Sequence, residues 1–284
     1  MAIGAHCSAS GGLWRTIERA IEIEAEAVQF FGASPRAWRP TNHKPEAFER
    51  FRALRAESGI GQAWLHGSYL VSLAPRNEEH YEKSIASVVN ALTVAARAGA
   101  EGVVLHSGSH LGRGFEAVLP EVVSAIERIF DEAPEGPVLA LENAAGQQGP
   151  IGGSFGELGA ILDAVDSPRL RVCLDTCHSF AAGYDITTRE GMAETIEEFE
   201  REVGLDQLAV IHANDSKQGL GSGRDRHENI GDGHIGYEGF RTILGEPAFA
   251  GRALLLEVPG IEGDGPDLEN VRRLKRIRDE VTAS

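Results

Sequence analysis

The stretch RVCLDTCH, residues 171–178, combines a strand pattern with metal-ligand side chains. Residues 172–174 are an apolar run of the kind that forms a buried strand. The run leads directly to Asp175 and His178, and carboxylate and imidazole groups are both ligands for divalent metal ions. One such strand could arise by chance, but the same arrangement recurs along the chain. The recurrence predicts both the fold and the site.

Seven further apolar runs of similar length predict strands, and helical patterns fill the gaps between them. The clearest helical pattern covers residues 77–97, where Ile85, Val88, Val89 and Leu92 share one face. The eight predicted strands are residues 2–6, 27–31, 62–66, 102–106, 138–143, 171–175, 208–213 and 253–258.

The alternation of eight strands with helices predicts an α/β fold, a single (β/α)8 TIM barrel with its active site at the C-terminal ends of the strands. An open, doubly wound sheet is the alternative. Its glycine-rich dinucleotide turn is missing after the first strand, where the sequence reads CSASGGL. No linker or shift of composition divides the chain. We therefore predict one domain over residues 1–284.

The composition, 42% hydrophobic and 25% charged, is that of a globular protein. No apolar run approaches the roughly 18–20 residues that a membrane span needs, and the N-terminal sequence lacks the pattern of a secretory signal. Three cysteines are too few for a disulfide framework. We predict a cytoplasmic protein without a membrane partner. The polar outer helices favour a monomer.

Metal-ligand side chains stand at or just beyond the ends of six predicted strands. Any one of them has an ordinary explanation, such as a hydrogen-bonded structural histidine. Together they place four carboxylates on one rim without a Lys or Arg at a strand end, and buried charges need a partner or a metal ion. The five histidines and four carboxylates are His66, His106, Glu142, Asp175, His178, His212, Asp225, His227 and Glu257.

Mixed imidazole and carboxylate ligands suit zinc or manganese, and the lack of thiolates argues against a structural zinc site of the cysteine type. Nine ligands exceed the needs of one tetrahedral ion, so the set predicts two or three ions with a bridging carboxylate. Paired divalent ions are typical of phosphoryl transfer. The net charge of −16 argues against a nucleic-acid partner. Three divalent ions would, however, more than neutralise the ligand carboxylates and make the site locally positive.

The sequence motifs extend well beyond the ligands. They are HCSASGGL (6–13), PRAW (35–38), HGSYLVSLA (66–74), HSGSH (106–110), LENAAGQ (141–147), LDTCHSFAAGYD (174–185), HANDSK (212–217), GSGRDRHENIGDGHIG (221–236) and LEVP (256–259). Together they resemble the endonuclease IV family of apurinic/apyrimidinic endonucleases over nearly the whole chain. The resemblance implies a zinc-dependent TIM-barrel enzyme of base excision repair. Such an enzyme hydrolyses the phosphodiester 5′ to an abasic site in duplex DNA, leaving a 3′-hydroxyl and a 5′-deoxyribose phosphate.

All nine ligand positions match the family pattern, which implies three Zn2+ per chain, with Mn2+ possible at one or more sites. Glu142 and Glu257 would also be the catalytic carboxylates, since they lie where a ligand carboxylate can orient the attacking hydroxide. The resemblance divides the ligands into three sets: His66, His106 and Glu142; Glu142, Asp175, His212 and Glu257; and His178, Asp225 and His227.

The partner implied by the resemblance is double-stranded DNA with abasic or 3′-blocked sites. Arg36 and Tyr69 match the residues with which the family enters the base stack and turns the abasic nucleotide out. Residues close behind a ligand are candidates for further DNA contacts, because basic and polar groups on such loops bind backbone phosphate. These candidates are His110, Asn214, Lys217 and Arg226.

Two positions depart from the family pattern, Ser107 in place of a usual proline and Ala144 in place of a usual threonine, and neither is a ligand. Two other functions stay open. A metal-dependent sugar isomerase or epimerase on the same barrel would have fewer ligands, so the trio of His178, Asp225 and His227 argues against it. A non-catalytic lesion-binding protein would have lost a ligand, and none is missing.

Overall fold

Eight parallel strands close into a barrel in the computed structural model, which describes residues 1–146 and 149–283. The predicted TIM barrel is confirmed, and the barrel strands neighbour one another in chain order. Gln147, the last residue of one quoted motif, lies outside the described residues. The strands are β1 (Ala2–His6), β2 (Ala27–Phe31), β3 (Ala63–His66), β4 (Gly102–Leu105), β5 (Val138–Glu142), β6 (Leu170–Asp175), β7 (Leu208–His212), the hairpin strands β8 (Asp215–Ser216) and β9 (His227–Glu228), and β10 (Ala253–Leu256).

Helices connect the barrel strands on the outside. Asn77 begins the longest helix by accepting a hydrogen bond from the His80 backbone at 3.1 Å, and Gly99 ends it with φ 69°. None of the described helices is long and apolar enough to cross a membrane. The helices are α1 (Trp14–Glu22), α2 (Pro45–Ser58), α3 (Glu78–Ala98), α4 (Phe115–Glu132), α5 (Phe155–Val165), α6 (Thr176–Ala182), α7 (Arg189–Glu202), α8 (Gly236–Leu244) and α9 (Leu268–Thr282).

Four strands end earlier than predicted, and in two of them the predicted ligand then lies just beyond the strand. β4 ends at Leu105, so His106 follows the strand, and β10 ends at Leu256, so Glu257 follows it. The backbone N–H of Glu257 donates to Oδ1 of Asn214 at 2.7 Å instead of to a neighbouring strand. The side-chain contact thus ends the sheet ladder and turns the carboxylate into the barrel mouth.

The interior of the barrel is packed below the site. Trp64 fills much of it, with its indole N–H donating to Gln62 at 3.0 Å. The strands approach closely at Gly4, where an added Cβ would lie 2.4 Å from the Ala27 carbonyl oxygen. The packed interior gives the polar residues at the C-terminal mouth a rigid floor. The other interior side chains are Ala27, Val104, Ala140, Cys173, Val210, Ala253 and Leu255.

Candidate metal centre

Glu142 is the centre of a polar cluster at the C-terminal mouth of the barrel, and its side chain is 0% exposed. One carboxylate oxygen, Oε2, lies 3.4 Å from Nε2 of both His66 and His106. The other, Oε1, lies 3.1 Å from Nδ1 of His178 and 3.2 Å from Nδ1 of His212. Four histidines from different parts of the barrel mouth, among them His178 on α6, therefore converge on one buried carboxylate.

The structure brings all nine predicted ligands together in three groups, of which the first two share Glu142. Within each group one ligand atom per residue lies within 4.8 Å of the others. Glu142 belongs to two groups, which is the arrangement expected of a bridging carboxylate. The groups are His66, His106 and Glu142; Glu142, Asp175, His212 and Glu257; and His178, Asp225 and His227.

Cys177 forms a fourth possible group with Asp175 and His227. Burial raises the pKa of the Cys177 thiol to about 12, so the thiol stays protonated at neutral pH. A metal ligand must be the thiolate. The groups without Cys177 therefore fit an ion better.

The donor atoms of the third group fit a metal ion. Nε2 of His178 and Nε2 of His227 are buried and form no hydrogen bond among the described residues. They lie 3.2 and 3.3 Å from Oδ1 of Asp225. Buried polar atoms without partners are rare in proteins. Two such nitrogens beside one carboxylate oxygen are suited to bind a divalent cation.

Charge within the cluster is balanced by the ligands themselves. Burial alone would lower the pKa of His178, but the charge of Asp175 and the nearby carboxylates of Asp225 and Glu142 raise it well above the usual value. Burial alone would raise the pKa of Glu142, but the positive charges of neighbouring histidines hold it well below the usual value. Without an ion, the carboxylates therefore favour a proton on His178.

The affinity of the cluster for a divalent metal ion is expected to fall as the pH is lowered. Because the pKa of His178 is raised, its ring is protonated below that pKa and an ion must displace the proton. Each displaced proton weakens the apparent affinity by about tenfold per pH unit. Calorimetric titration of the metal-free protein with zinc, in buffers of different ionisation enthalpy, would measure the number of protons released. Proton release of zero at neutral pH would contradict the prediction.

Two buried asparagines hold the predicted ligand Asp175 in place. Asn214 donates from Nδ2 to Oδ2 of Asp175 at 2.7 Å, and Oδ1 of Asn143 accepts the Asp175 backbone N–H at 2.7 Å. The prediction that Asn214 contacts phosphate is wrong, because its side chain is fully buried and points inward. In the sequence, only their positions next to predicted ligands, Asn143 after Glu142 and Asn214 two residues after His212, could have indicated this supporting role.

The loop after β7 carries Asp225 and His227 over the barrel mouth through the β8–β9 hairpin. At its base the carboxylate of Asp215 is fully buried. The carboxylate accepts backbone hydrogen bonds at 2.8 to 3.3 Å, so it fixes the path of the loop. The donors are Ser216, Gly231, Gly233, Ile235 and Gly236.

Replacing Asp215 with asparagine is expected to destabilise the protein by about 3 kcal/mol, because an amide nitrogen would face backbone N–H donors. The free energy of unfolding in urea would measure the change. Asp232→Asn is the matched control on the same loop, since Asp232 forms an exposed ion pair with Arg273 and such pairs contribute at most about 1 kcal/mol. Equal losses in the two variants would contradict the role of Asp215.

The two residues predicted to enter DNA are exposed at the barrel mouth. Tyr69 is 60% exposed and stands edge-on to Phe31, with ring centroids 5.3 Å apart, above His66. Arg36 is exposed on the loop after β2. Tyr69, His66 and Glu257 border the same open cleft of about 1360 Å³. A substrate in the cleft can therefore contact Tyr69 and the metal ligands together.

The other predicted DNA contacts differ in how accessible they are. Lys217 is exposed and 3.7 Å from Glu228, and Arg226 is exposed beside a second cavity of about 590 Å³ that reaches His106. His110 is only partly exposed, and its Nδ1 accepts the Gly114 backbone N–H at 3.2 Å. Lys217 and Arg226 stay candidates for phosphate contacts, whereas His110 also has a structural role in its loop.

Known proteins resemble this chain over its full length. A family model described as a xylose isomerase-like TIM barrel matches residues 17–279. A probable endonuclease 4 of Halothermothrix orenii is 38% identical over 277 residues, which cover 97% of this chain and 100% of the relative. A probable endonuclease 4 of Streptomyces avermitilis is 40% identical over 279 residues, which cover 96% of this chain and 90% of the relative.

Solved structures agree with these relatives. Endonuclease IV from Thermus thermophilus has a TM-score of 0.87 at 38% identity, covering 99% of this chain and 100% of that chain. A D-tagatose 3-epimerase-like protein has a TM-score of 0.75 at 20% identity and covers 100% of this chain and 97% of its own, which shows a shared fold alone. The full-length identity and the matching structure show that this chain belongs to the endonuclease IV family of metal-dependent nucleases.

Proposed function

We propose that this nuclease hydrolyses the phosphodiester 5′ to an abasic site in duplex DNA, as a step of base excision repair. The products would be a 3′-hydroxyl and a 5′-deoxyribose phosphate. The observation that carries the proposal is the set of nine ligand side chains in three groups around Glu142. We propose three Zn2+ per chain, with Mn2+ possible at one or more sites.

The bound ions would activate water and neutralise the charge of the phosphate that is attacked. Glu142, which is fully buried between the first two groups, would keep those groups at a fixed separation. The Glu257 side chain is 16% exposed and borders the cleft. Unlike the fully buried Glu142 and Asp175, it can therefore reach substrate and orient the attacking water.

The exposed side chains at the mouth would select the lesion. An abasic site lacks stacking, so turning its nucleotide out of the duplex costs less than at an intact base. Arg36 and Tyr69 would enter the space that the missing base leaves. Lys217 and Arg226 would hold the backbone phosphates, which offsets the repulsion expected from the net charge of −16.

Replacing Tyr69 with alanine is expected to lower kcat/KM for an abasic duplex by roughly tenfold, since an aromatic stacking contact is worth about 1–3 kcal/mol. The loss should be smaller for an abasic single strand, in which fewer stacked neighbours resist extrusion. Steady-state kinetics on the two substrates would measure the difference. Equal losses on both substrates would indicate that Tyr69 supports the fold and does not enter the duplex.

Cleavage of a duplex oligonucleotide with one abasic-site analogue tests the proposed function. A single cut 5′ to the lesion with a 3′-hydroxyl end is the expected result, and an undamaged duplex of the same sequence should stay intact. A fully metallated protein that leaves the abasic duplex uncut would overturn the proposal. If that protein instead interconverted small ketose sugars, the isomerase or epimerase alternative would replace it. Specific binding without cutting would favour a non-catalytic lesion-binding protein.

Three further expectations stay predictions. They are a single domain over residues 1–284, a cytoplasmic location and a monomeric state. Sedimentation of the zinc-bound protein would measure its oligomeric state directly.

DNA with 3′-blocked ends is a second proposed substrate, because the same ions could hold a phosphodiester at a strand end.

A further inference from the structure

Gln29 on β2 lies beneath the metal centre, and its side-chain amide contacts three residues of the site. Nε2 donates to Oε1 of Glu257 at 2.7 Å and lies 3.1 Å from Nδ1 of His6. Oε1 lies 2.9 Å from Nε2 of His212. Gln29 is 0% exposed, so water cannot replace these partners.

The charge that the amide faces determines its orientation. An ionised carboxylate can only accept hydrogen bonds, so the amide nitrogen and not the oxygen must face Glu257. The amide oxygen is then turned toward His212. An oxygen in this position can only accept, so it requires a proton on Nε2 of the His212 ring. One contact with Glu257 thus fixes the tautomer of His212.

The tautomer of His212 decides which of its nitrogens can bind an ion. With the proton on Nε2, the lone pair of the neutral ring is on Nδ1. That atom lies 3.2 Å from Glu142, 3.8 Å from Asp175 and 3.2 Å from Glu257. These carboxylates are the other members of the second ligand group. The orientation of the amide therefore matches the group that would hold the ion.

We propose that Gln29 is a positioning residue of the metal centre, which fixes the metal-binding tautomer of His212 and holds Glu257 through the same amide. The proposal rests on the proposed function only in that these two residues hold catalytic ions. The second N–H of the Gln29 amide is directed to Nδ1 of His6 and joins the end of β1 to the same network. Such supporting contacts typically contribute a factor of about 10–100 to metal affinity or activity.

Replacing Gln29 with methionine tests the proposal, because methionine has a similar shape but cannot donate or accept these hydrogen bonds. We expect the zinc affinity of the second ligand group to fall by about 10–100-fold, measured by competition with a chelator. The absorption spectrum of the cobalt(II)-substituted protein should also change. For the abasic duplex, kcat should fall while KM changes little, because Gln29 is buried away from the substrate.

A second variant, Gln29→Glu, separates the two contacts if Gln29→Met does not fold. The new carboxyl group keeps an acceptor for His212 but faces the carboxylate of Glu257, so the neutral donor is replaced by repulsion or by a shared proton. We expect a folded protein with lowered kcat and a changed cobalt spectrum. The matched control is Gln62→Met. Gln62 contacts Trp64 near the start of β3, at the end of the strand away from the metal centre. The control should retain the zinc affinity, the cobalt spectrum and the kcat of the wild type.

Unchanged zinc affinity and an unchanged cobalt spectrum in a folded Gln29→Met or Gln29→Glu protein would overturn the proposal. These readouts need no DNA, so they stay informative if the wild type fails to cleave an abasic duplex. A wild type that does not cleave would contradict the proposed function, but the zinc affinity and the cobalt spectrum would still test the role of Gln29. Loss of zinc affinity equally in Gln62→Met would show a general effect of packing and would also overturn the proposal.

Discussion

Replacing Glu257 with glutamine is expected to lower the rate of abasic-site cleavage by roughly 100- to 10,000-fold, the range for loss of a positioned proton-transfer or water-orienting group. Oε1 of Glu257 accepts a hydrogen bond from Gln29 at 2.7 Å, and Oε2 lies 3.2 Å from Nδ1 of His212. The new amide must therefore turn its oxygen toward Gln29. Its NH2 group would then face the ions and the attacking water, where a lone pair is needed.

Single-turnover cleavage together with the metal content of each protein would measure this effect. We expect zinc to stay bound at saturating concentration, because Glu142, Asp175 and His212 remain in the same group. Glu262→Gln is the matched control, since Glu262 is exposed on the loop just beyond Glu257. A metallated Glu257→Gln protein that cleaves within tenfold of the wild type would contradict the assigned role.

The sequence was sufficient to predict the barrel and the residues around its mouth. Buried parallel strands appear in the sequence as short apolar runs. Several of these runs end at a residue that is costly to bury, such as Glu142 or Asp175. The parallel arrangement then places all strand ends on one rim, so positions far apart in sequence could be grouped. The main error was in where strands end, as at His106 and Glu257.

The supporting residues could not be predicted in the same way. Gln29, Asn143 and Asn214 are neutral amides, and nothing in a single sequence separates a buried amide from an exposed one. Their roles depend on distances across the barrel, such as the contact between Gln29 and Glu257, 228 positions apart. The β8–β9 hairpin also gave no signal, because each strand has two residues and its loop is held by Asp215.

Replacing Glu142 with glutamine is expected to remove two of the three proposed ions and to lower cleavage by at least about 1,000-fold. Glu142 belongs to both the first and the second ligand groups, whereas His178, Asp225 and His227 form a group without it. The carboxylate brings two oxygens and a negative charge to the two groups, whereas an amide has one oxygen and no charge, so dialysis should remove both ions that depend on Glu142. The variant should therefore keep about one zinc per chain, measured by atomic emission after dialysis.

The count of retained ions tests the grouping more directly than activity does, because any damage to the site would lower activity. Retention of three ions would mean that Glu142 does not bridge, and retention of none would mean that the third group depends on the other two. Circular dichroism should show an intact fold, since the interior below the site does not include Glu142. Glu238→Gln, a change of an exposed carboxylate on α8, is the matched control and should keep all ions. One retained ion in a folded protein would therefore support a bridging carboxylate between two ions and an independent third site.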